Sequence, residues 1–381
     1  MGGGSGGHVT PAIAVIREIR KIIPKVGIEF WCDYKFFNNT KSLVGKYDKN
    51  IQIHRIISGK FRRYSHLKWY QHLLLPRHML LNIRDACYFL FGIIQSTLKL
   101  IKYKPDVIFA KGGYVCLSVG VAAKFLNIPV VIHDSDAHPG LTNRILSKWA
   151  KYIATGAPIE YYNYPKDRTY FLGVPISDDF KIYSVSEKKK AKEFWGINPN
   201  KPLILVTGGG LGASRINLTI AEILDEILVK YSLILVSGSG NYDEMRSILP
   251  PNSNDFQLYP FISENMASLF AASDLIVARA GATTIFEIAA MAKPCILIPN
   301  PRLTGGHQIK NAEVYRKAKA VEIISEDEID KNPSSLTNLI NLILNNSSKS
   351  KLLSENIHNF AKKNAAKDVA SLIYKTYKET K

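Results

Sequence analysis

Short runs rich in β-branched residues recur along the chain: VGIEFW, IQIHRI, DVIFA, PVVIH, YIATG, TYFLGV, LILVTGGG, LILVSGS, FQLYPF, LIVARAG and PCILIPN. Longer stretches between them carry apolar residues at helical spacing. Continuous apolar strands separated by helices predict parallel sheets covered on both faces, the doubly wound α/β class. Two glycine loops, GGGSGGHVTPAIAVIREI and LILVTGGGLGASRINLTIAEIL, each open an amphipathic helix, so the expected architecture is two Rossmann-like domains in tandem. The expected boundaries are 1–173 and 174–350, followed by a Lys-rich helix over 351–381 that packs back toward the first domain. A loop of this kind follows a buried strand, yet only Met1 precedes Gly2. The first strand of the N-terminal sheet is therefore expected to be missing.

Composition supports two real cores: of 381 residues, 46% are hydrophobic and 22% charged. The four cysteines (Cys32, Cys87, Cys116, Cys295) show no metal-ligand spacing and read as reduced core residues of a cytoplasmic protein. Charge changes the picture more. The chain carries +18, of which residues 1–180 hold 25 basic and 12 acidic side chains, net +13, and 181–381 hold 25 and 20, net +5. The first half is expected to face a polyanion, whether lipid headgroup, nucleic acid or phosphorylated substrate. The N-terminus lacks the basic and apolar pattern of a signal peptide. The longest apolar candidate, Ala86–Leu98, is well short of the roughly 20 residues that span a bilayer.

Ser5-Gly6-Gly7-His8 closes the first glycine run, and Pro11 is a favoured first-turn residue for the helix that follows. Glycines admit close ligand approach, and a helix N-terminus offers free N–H groups to an anion; a plain tight turn is the competing reading. His8 on that turn, aimed into an interdomain cleft, suits a general base working near neutral pH, or else a capping, structural histidine. The second loop, Thr207–Ala213, follows an unambiguous strand, and Gly208, Gly209, Gly210 and Gly212 would offer backbone donors to a diphosphate. Downstream, Arg279-Ala280-Gly281-Ala282-Thr283-Thr284 starts a helix carrying Glu287, whose carboxylate can accept two hydrogen bonds from a ribose diol or simply offset the helix dipole.

Taken in order, SGGHVTPAIAV, KPDVIFAKGGY, HPGLTNRIL, VTGGGLGAS, ARAGATTIFEIAAMAKPCILIP and GGHQIKNA resemble the MurG family, the N-acetylglucosaminyltransferases that make lipid II in peptidoglycan synthesis. The resemblance covers nearly the whole chain. It implies a GT-B fold in which the first domain holds an undecaprenyl-linked muramyl acceptor and the second holds UDP-N-acetylglucosamine. It also implies roles for Ser5, Gly6 and Gly7 in the first loop, Gly210 in the second, Ile262 near the uracil, Ala282, Thr283, Thr284 and Glu287 at the phosphates and ribose, and Gln308 at the sugar hydroxyls. His8 matches the family's loop histidine. Two positions depart from the family pattern. Where HEQN is usual the chain reads His133-Asp134-Ser135-Asp136, so an Asn on the donor sugar becomes Asp136, and an Arg near the diphosphate becomes Ser177. Asp134-Ser135-Asp136 also spells the metal-binding DxD of single-domain transferases, but two glycine loops point to neutralisation by helix N-termini, with neither metal nor cofactor.

SGKFRRYSHLKWYQHLLLPRHMLLNIR mixes basic residues, Trp69, Tyr70 and leucines, which suits a membrane surface, stacked single-stranded nucleic acid, or a solvated helix face. The +13 of this half favours the anionic membrane, and no nucleic-acid partner is expected. The expected protein is thus an inverting, metal-independent transferase, peripheral at the cytoplasmic face of the membrane. A transferase for another lipid, a UDP-sugar epimerase, or an inactive lipid- or nucleic-acid-binding module are the alternatives.

Overall fold

Apolar runs whose side chains are buried on both faces can pair only inside a sheet, and each of the eleven recurring runs contains a strand in the computed structural model, which describes residues 1–2, 6–59, 76–209, 212–262, 264–303 and 306–381. The chain divides into two units: Met1–Ser177, Leu303–His307 and Asn364–Lys381 form the first, and Asp178–Arg302 with Gln308–Lys363 the second.

The first unit opens with α1 (Gly6–Ile22), β1 (Glu29–Asp33), α2 (Phe37–Tyr47), β2 (Gln52–Ile56), α3 (Pro76–Tyr103), β3 (Ile108–Ala110) and α4 (Tyr114–Phe125). It continues with β4 (Val130–Asp134), α5 (Leu141–Leu146), β5 (Tyr152–Thr155) and β6 (Thr169–Phe171). The helix expected from about Pro11 begins five residues earlier, at Gly6, so His8 lies in its first turn and Pro11 inside it. Lacking an N–H, Pro11 leaves the Gly7 carbonyl without its helical donor. Strands β1 and β2 form one parallel pair, and β3, β4, β5 and β6 a separate parallel sheet in that order. Met1 and Gly2 stand where these two sheets meet. The Gly2 N–H donates to Trp31 O of β1 (3.3 Å), the Lys111 N–H beside β3 donates to Met1 O (3.0 Å), and the Met1 ammonium donates to Phe109 O (2.7 Å). These two residues thus bridge the edge strands β1 and β3 of the two sheets.

The second unit runs α6 (Val185–Phe194), β7 (Leu203–Thr207), α7 (Ser214–Leu228), β8 (Ser232–Val236), α8 (Tyr242–Ile248), β9 (Phe256–Tyr259), α9 (Met266–Ala272), β10 (Leu275–Ala278) and α10 (Ala282–Ala290). It ends with β11 (Cys295–Leu297), α11 (His307–Lys317), β12 (Glu322–Ile323), α12 (Glu326–Lys331), α13 (Ser334–Leu344) and α14 (Ser347–His358). Its six strands are all parallel, in the order β12-β11-β10-β7-β8-β9. Helix α6 starts at a reciprocal cap, in which Ser184 Oγ accepts from the Glu187 N–H and the Glu187 carboxylate from the Ser184 N–H. Ile216, Ile220, Ile223, Leu224 and Ile227 form one buried stripe of α7 against the sheet, each worth about 1.5–3 kcal/mol of burial.

The C-terminal segment is two helices instead of one. Leu353 and Ile357 of α14 are buried in the second unit, whereas α15 (Ala365–Thr380) places Val369, Ala370 and Leu372 against Val15, Ile19 and Val131 in the core of the first. Tyr152 caps this packing by donating to Glu379 Oε1 (2.8 Å). The expectation that all four cysteines are core residues fails at Cys87, which is exposed on α3; the other three are buried, and all are free. Among the described residues no helix is long and apolar enough to cross a membrane.

Candidate active site

In the first unit the chemistry gathers at the C-terminal ends of β3 and β4, where parallel sheets present ligand sites. Strand β3 ends in Lys111-Gly112-Gly113, and both glycines hold positive φ, +101° and +85°. That turn exposes the Lys111 carbonyl to His8, whose Nδ1 lies 3.2 Å away. A carbonyl only accepts, so the Nδ1 proton makes this bond and Nε2 keeps a free lone pair. Burial, then the Lys111 ammonium, pull the His8 pKa below its usual value against the opposing effect of Asp136. The imidazole is therefore neutral and basic at physiological pH.

Lys111 itself is buried. Its ammonium donates to His133 Nδ1 (2.9 Å) and to the Ser135 hydroxyl, and the His133 Nε2–H donates to the Gly173 carbonyl (2.8 Å). Burial pushes the Lys111 pKa down to about 8, while the carboxylates of Asp134 and Asp136 hold it up. Burial and the adjacent Asp136 push Asp134 up to about 7, and Asp134 Oδ2 accepts from the Tyr164 hydroxyl (2.8 Å) and the Gly140 N–H (3.3 Å). Asp134 is thus engaged inside the unit instead of standing ready for an ion, and among the described residues no three His, Cys, Asp or Glu side chains are grouped to hold a metal. Asp136 follows on the same loop, half-exposed, its carbonyl accepting from the Tyr162 hydroxyl (2.6 Å).

The second unit gathers its candidates at the ends of β7, β9 and β10. After β7, a Cβ on Gly208 would lie 2.4 Å from the Ala213 nitrogen, and one on Gly212 (φ +74°) 2.3 Å from the Ser237 carbonyl, so the turn closes only with glycine at both places. After β10, Gly281 caps α10, which leaves the first-turn amides of Ala282, Thr283 and Thr284 without intrahelical acceptors. Asn311 of α11 holds this turn by donating to Ala280 O (3.1 Å). Glu287 is half-buried in the second turn of α10, where burial pushes its pKa up to about 8. No group among the described residues pairs with its carboxylate. Ile262 is buried just past β9, and Gln308 accepts from the Asn300 N–H (2.8 Å).

His8, with Gly6 and Gly7 beside it in α1, therefore shares the first unit with Asp136, while Ile262, Ala282, Thr283, Thr284, Glu287 and Gln308 belong to the second. Ser5 and Gly210, and the basic segment's Arg62, Arg63, Lys68, Trp69 and Tyr70, lie outside the described residues. Sequence reasoning overlooked Lys111 and His133. Their signal was present, since each stands at the end of an apolar run that enters a glycine turn or an acidic loop.

Residues 1–155 match the glycosyltransferase family 28 N-terminal domain, and residues 203–373 match the C-terminal domain of the same family. Over 338 residues the chain is 37% identical to a UDP-N-acetylglucosamine–N-acetylmuramyl-(pentapeptide) pyrophosphoryl-undecaprenol N-acetylglucosamine transferase of Clostridium perfringens, covering 86% of this chain and 85% of that one. An enzyme of the same name from Clostridium tetani is 31% identical over 384 residues, 99% of this chain and 97% of the other. The chain belongs to the MurG family. Among solved structures, Acinetobacter baumannii MurG superposes with a TM-score of 0.73 at 25% identity, covering 98% of both chains. A Neisseria meningitidis UDP-GlcNAc 2-epimerase (TM-score 0.67, 15% identity, 98% of both chains) shares the fold. As a MurG-family glycosyltransferase, the protein carries His8 in the first turn of α1 and Asp136 in the loop after β4.

Proposed function

We propose that the protein transfers N-acetylglucosamine from UDP-N-acetylglucosamine to lipid I, the undecaprenyl-diphosphate-linked muramyl acceptor, giving lipid II with inversion at the anomeric carbon. The observation that carries this reading is the His8 imidazole, held neutral by burial and by Lys111, with its Nδ1 proton tied to the Lys111 carbonyl and Nε2 open. His8 takes the proton of an acceptor hydroxyl as that oxygen attacks the anomeric carbon. The bond to UDP breaks, and the amides of the first turns of α7 and α10, which lack intrahelical acceptors, stabilise the charge growing on the diphosphate. UDP release from UDP-N-acetylglucosamine is expected to depend on an added lipid I analogue. Equal release without acceptor would count against transfer.

Glu287 takes the ribose in this reading, because it is a half-buried carboxylate with no partner of its own, one helical turn from the phosphate-facing amides. Above pH 8, where its carboxylate is ionised, Glu287→Ala is expected to weaken UDP binding by about 1.5–3 kcal/mol, the worth of a charge-assisted hydrogen bond. The sign of the pH effect follows from its pKa near 8. A diol donates best to the ionised carboxylate, so UDP affinity should rise as pH climbs through about 8 and stay flat in Glu287→Gln. Calorimetric titration across that range checks both, and a wild-type affinity insensitive to pH and to Glu287→Ala would remove the ribose role.

Peripheral attachment to an anionic membrane at the cytoplasmic face completes the reading. Leu80, Ile83, Leu90, Phe91, Ile94, Leu98 and Ile101 lie along α3, with Phe91, Ile94, Leu98 and Ile101 at three- and four-residue spacing, and each is more than half exposed. Arg84, Lys99 and Lys102 flank this row on the same helix. Such a face suits insertion at the headgroup level, with the basic side chains on the lipid phosphates. Phe91→Ser/Leu98→Ser, which removes about 3 kcal/mol of apolar burial in the bilayer, should weaken binding to anionic vesicles by about 10²-fold, and high salt should weaken wild-type binding. Pelleting that ignores both would leave α3 as a surface for something other than lipid.

A further inference from the structure

Two cations stand where the chain enters α7 and α10 in the second unit, and both are paired with carboxylates of α12. Arg279 immediately follows β10, at the entrance to the turn that starts α10. Its buried guanidinium donates to the Ile298 carbonyl (3.0 Å) and to the carboxylate of Glu326. Arg215 is the second residue of α7, just past the Gly208–Gly212 turn, and its Nη1 lies 3.5 Å from the other oxygen of Glu326 and 2.8 Å from Asp330. Glu326 opens α12 and is only 3% exposed. One buried carboxylate therefore touches both loops. Replacing a buried ion pair by apolar side chains of similar volume is often neutral or stabilising, so fold stability alone gives little reason for this pair.

We propose that Glu326 is a positioning residue for the donor site: by joining Arg279 to Arg215, it fixes the spacing of the two loop–helix junctions, at the starts of α7 and α10, whose first-turn amides receive the diphosphate. The inference rests on the donor reading of the second unit. Backbone donors stabilise a diphosphate only when both sets reach it together, and a misplacement near an ångström is enough to forfeit most of that benefit. Asn311 already anchors the second loop at Ala280 O from α11; Glu326 supplies the anchor that the two loops share.

The test separates spacing from stability. Glu326→Gln keeps a hydrogen-bond acceptor for Arg279 and loses the charge that draws in Arg215. It is expected to raise the UDP dissociation constant and the KM for UDP-N-acetylglucosamine by about tenfold or more and to lower kcat at saturating donor as well, with the acceptor KM nearly unchanged. A purely structural loss would lower kcat with the folded fraction and leave KM alone. Arg279→Met/Glu326→Leu removes both buried charges in a variant expected to stay folded, and it should show the same loss of UDP affinity at an unchanged melting temperature. Asp330→Asn, which leaves Arg279 and Glu326 in contact, should bind UDP within about twofold of wild type. Normal UDP affinity in the folded double variant would overturn the clamp alone. A wild-type protein that does not bind UDP would overturn the donor reading, and the clamp with it.

Discussion

Replacing His8 by alanine is expected to lower kcat by about 10²- to 10⁴-fold, the range a general base supplies, while UDP affinity stays at the wild-type value. The hydrogen bond lost to the Lys111 carbonyl is worth about 1 kcal/mol, so the variant should melt close to the parent. The direction of pH dependence follows from the site. Burial and Lys111 hold the His8 pKa below its ordinary value of 6.5, so its base form is complete at neutral pH. Wild-type kcat should therefore fall only on the acid side, below pH 6.5, and His8→Ala should lose that limb together with the rate. A variant with wild-type kcat would return the histidine to a structural role and move the base to another group of the first unit.

A second large effect is expected from a single methyl group. Gly208→Ala places a Cβ 2.4 Å from the Ala213 nitrogen and 2.4 Å from the Gly212 carbonyl carbon, both backbone atoms that cannot rotate aside. The turn must open by about an ångström, which is expected to cost roughly 10²-fold in UDP affinity. Gly209→Ala is the control. Its Cβ would meet nothing within 4 Å, and only the positive φ of +75° opposes it, a penalty of about 1–2 kcal/mol in backbone strain. UDP titrations should rank the two variants clearly, with Gly208→Ala much the weaker. Equal affinities would mean that the start of α7, which this turn positions, does not hold the diphosphate.

The strands were legible because buried parallel strands must be apolar on both faces; only the two-residue β12 within AVEIIS escaped notice. Element ends were less legible. Glycines and Ser5 before His8 gave no propensity to place the start of α1, and Pro11 pointed too far along the chain. The apolar stripe that continues from α14 toward Phe360 hid the break between α14 and α15, where the chain passes from one unit to the other. Within the candidate site, the glycine turns and helix starts themselves were readable, because they have local signatures. Lys111, His133, Tyr164 and Glu326 were not. Each acts through a partner distant in sequence, 22 residues for Lys111–His133, 30 for Tyr164–Asp134 and 47 for Arg279–Glu326, and only the fold brings such pairs together. Cys87 looked like core for a related reason. An apolar helix face reads the same whether protein or solvent lies against it.

The central claim is inverting transfer to a lipid acceptor, and the product's stereochemistry tests it most directly. Incubation with UDP-N-acetylglucosamine, whose sugar is α-linked, and a soluble lipid I analogue, followed by NMR of the product, should show a new disaccharide with a β anomeric proton coupling, formed in step with UDP. An α-linked disaccharide would contradict inversion by a single displacement, and free or epimerised sugar without any disaccharide would contradict transfer itself.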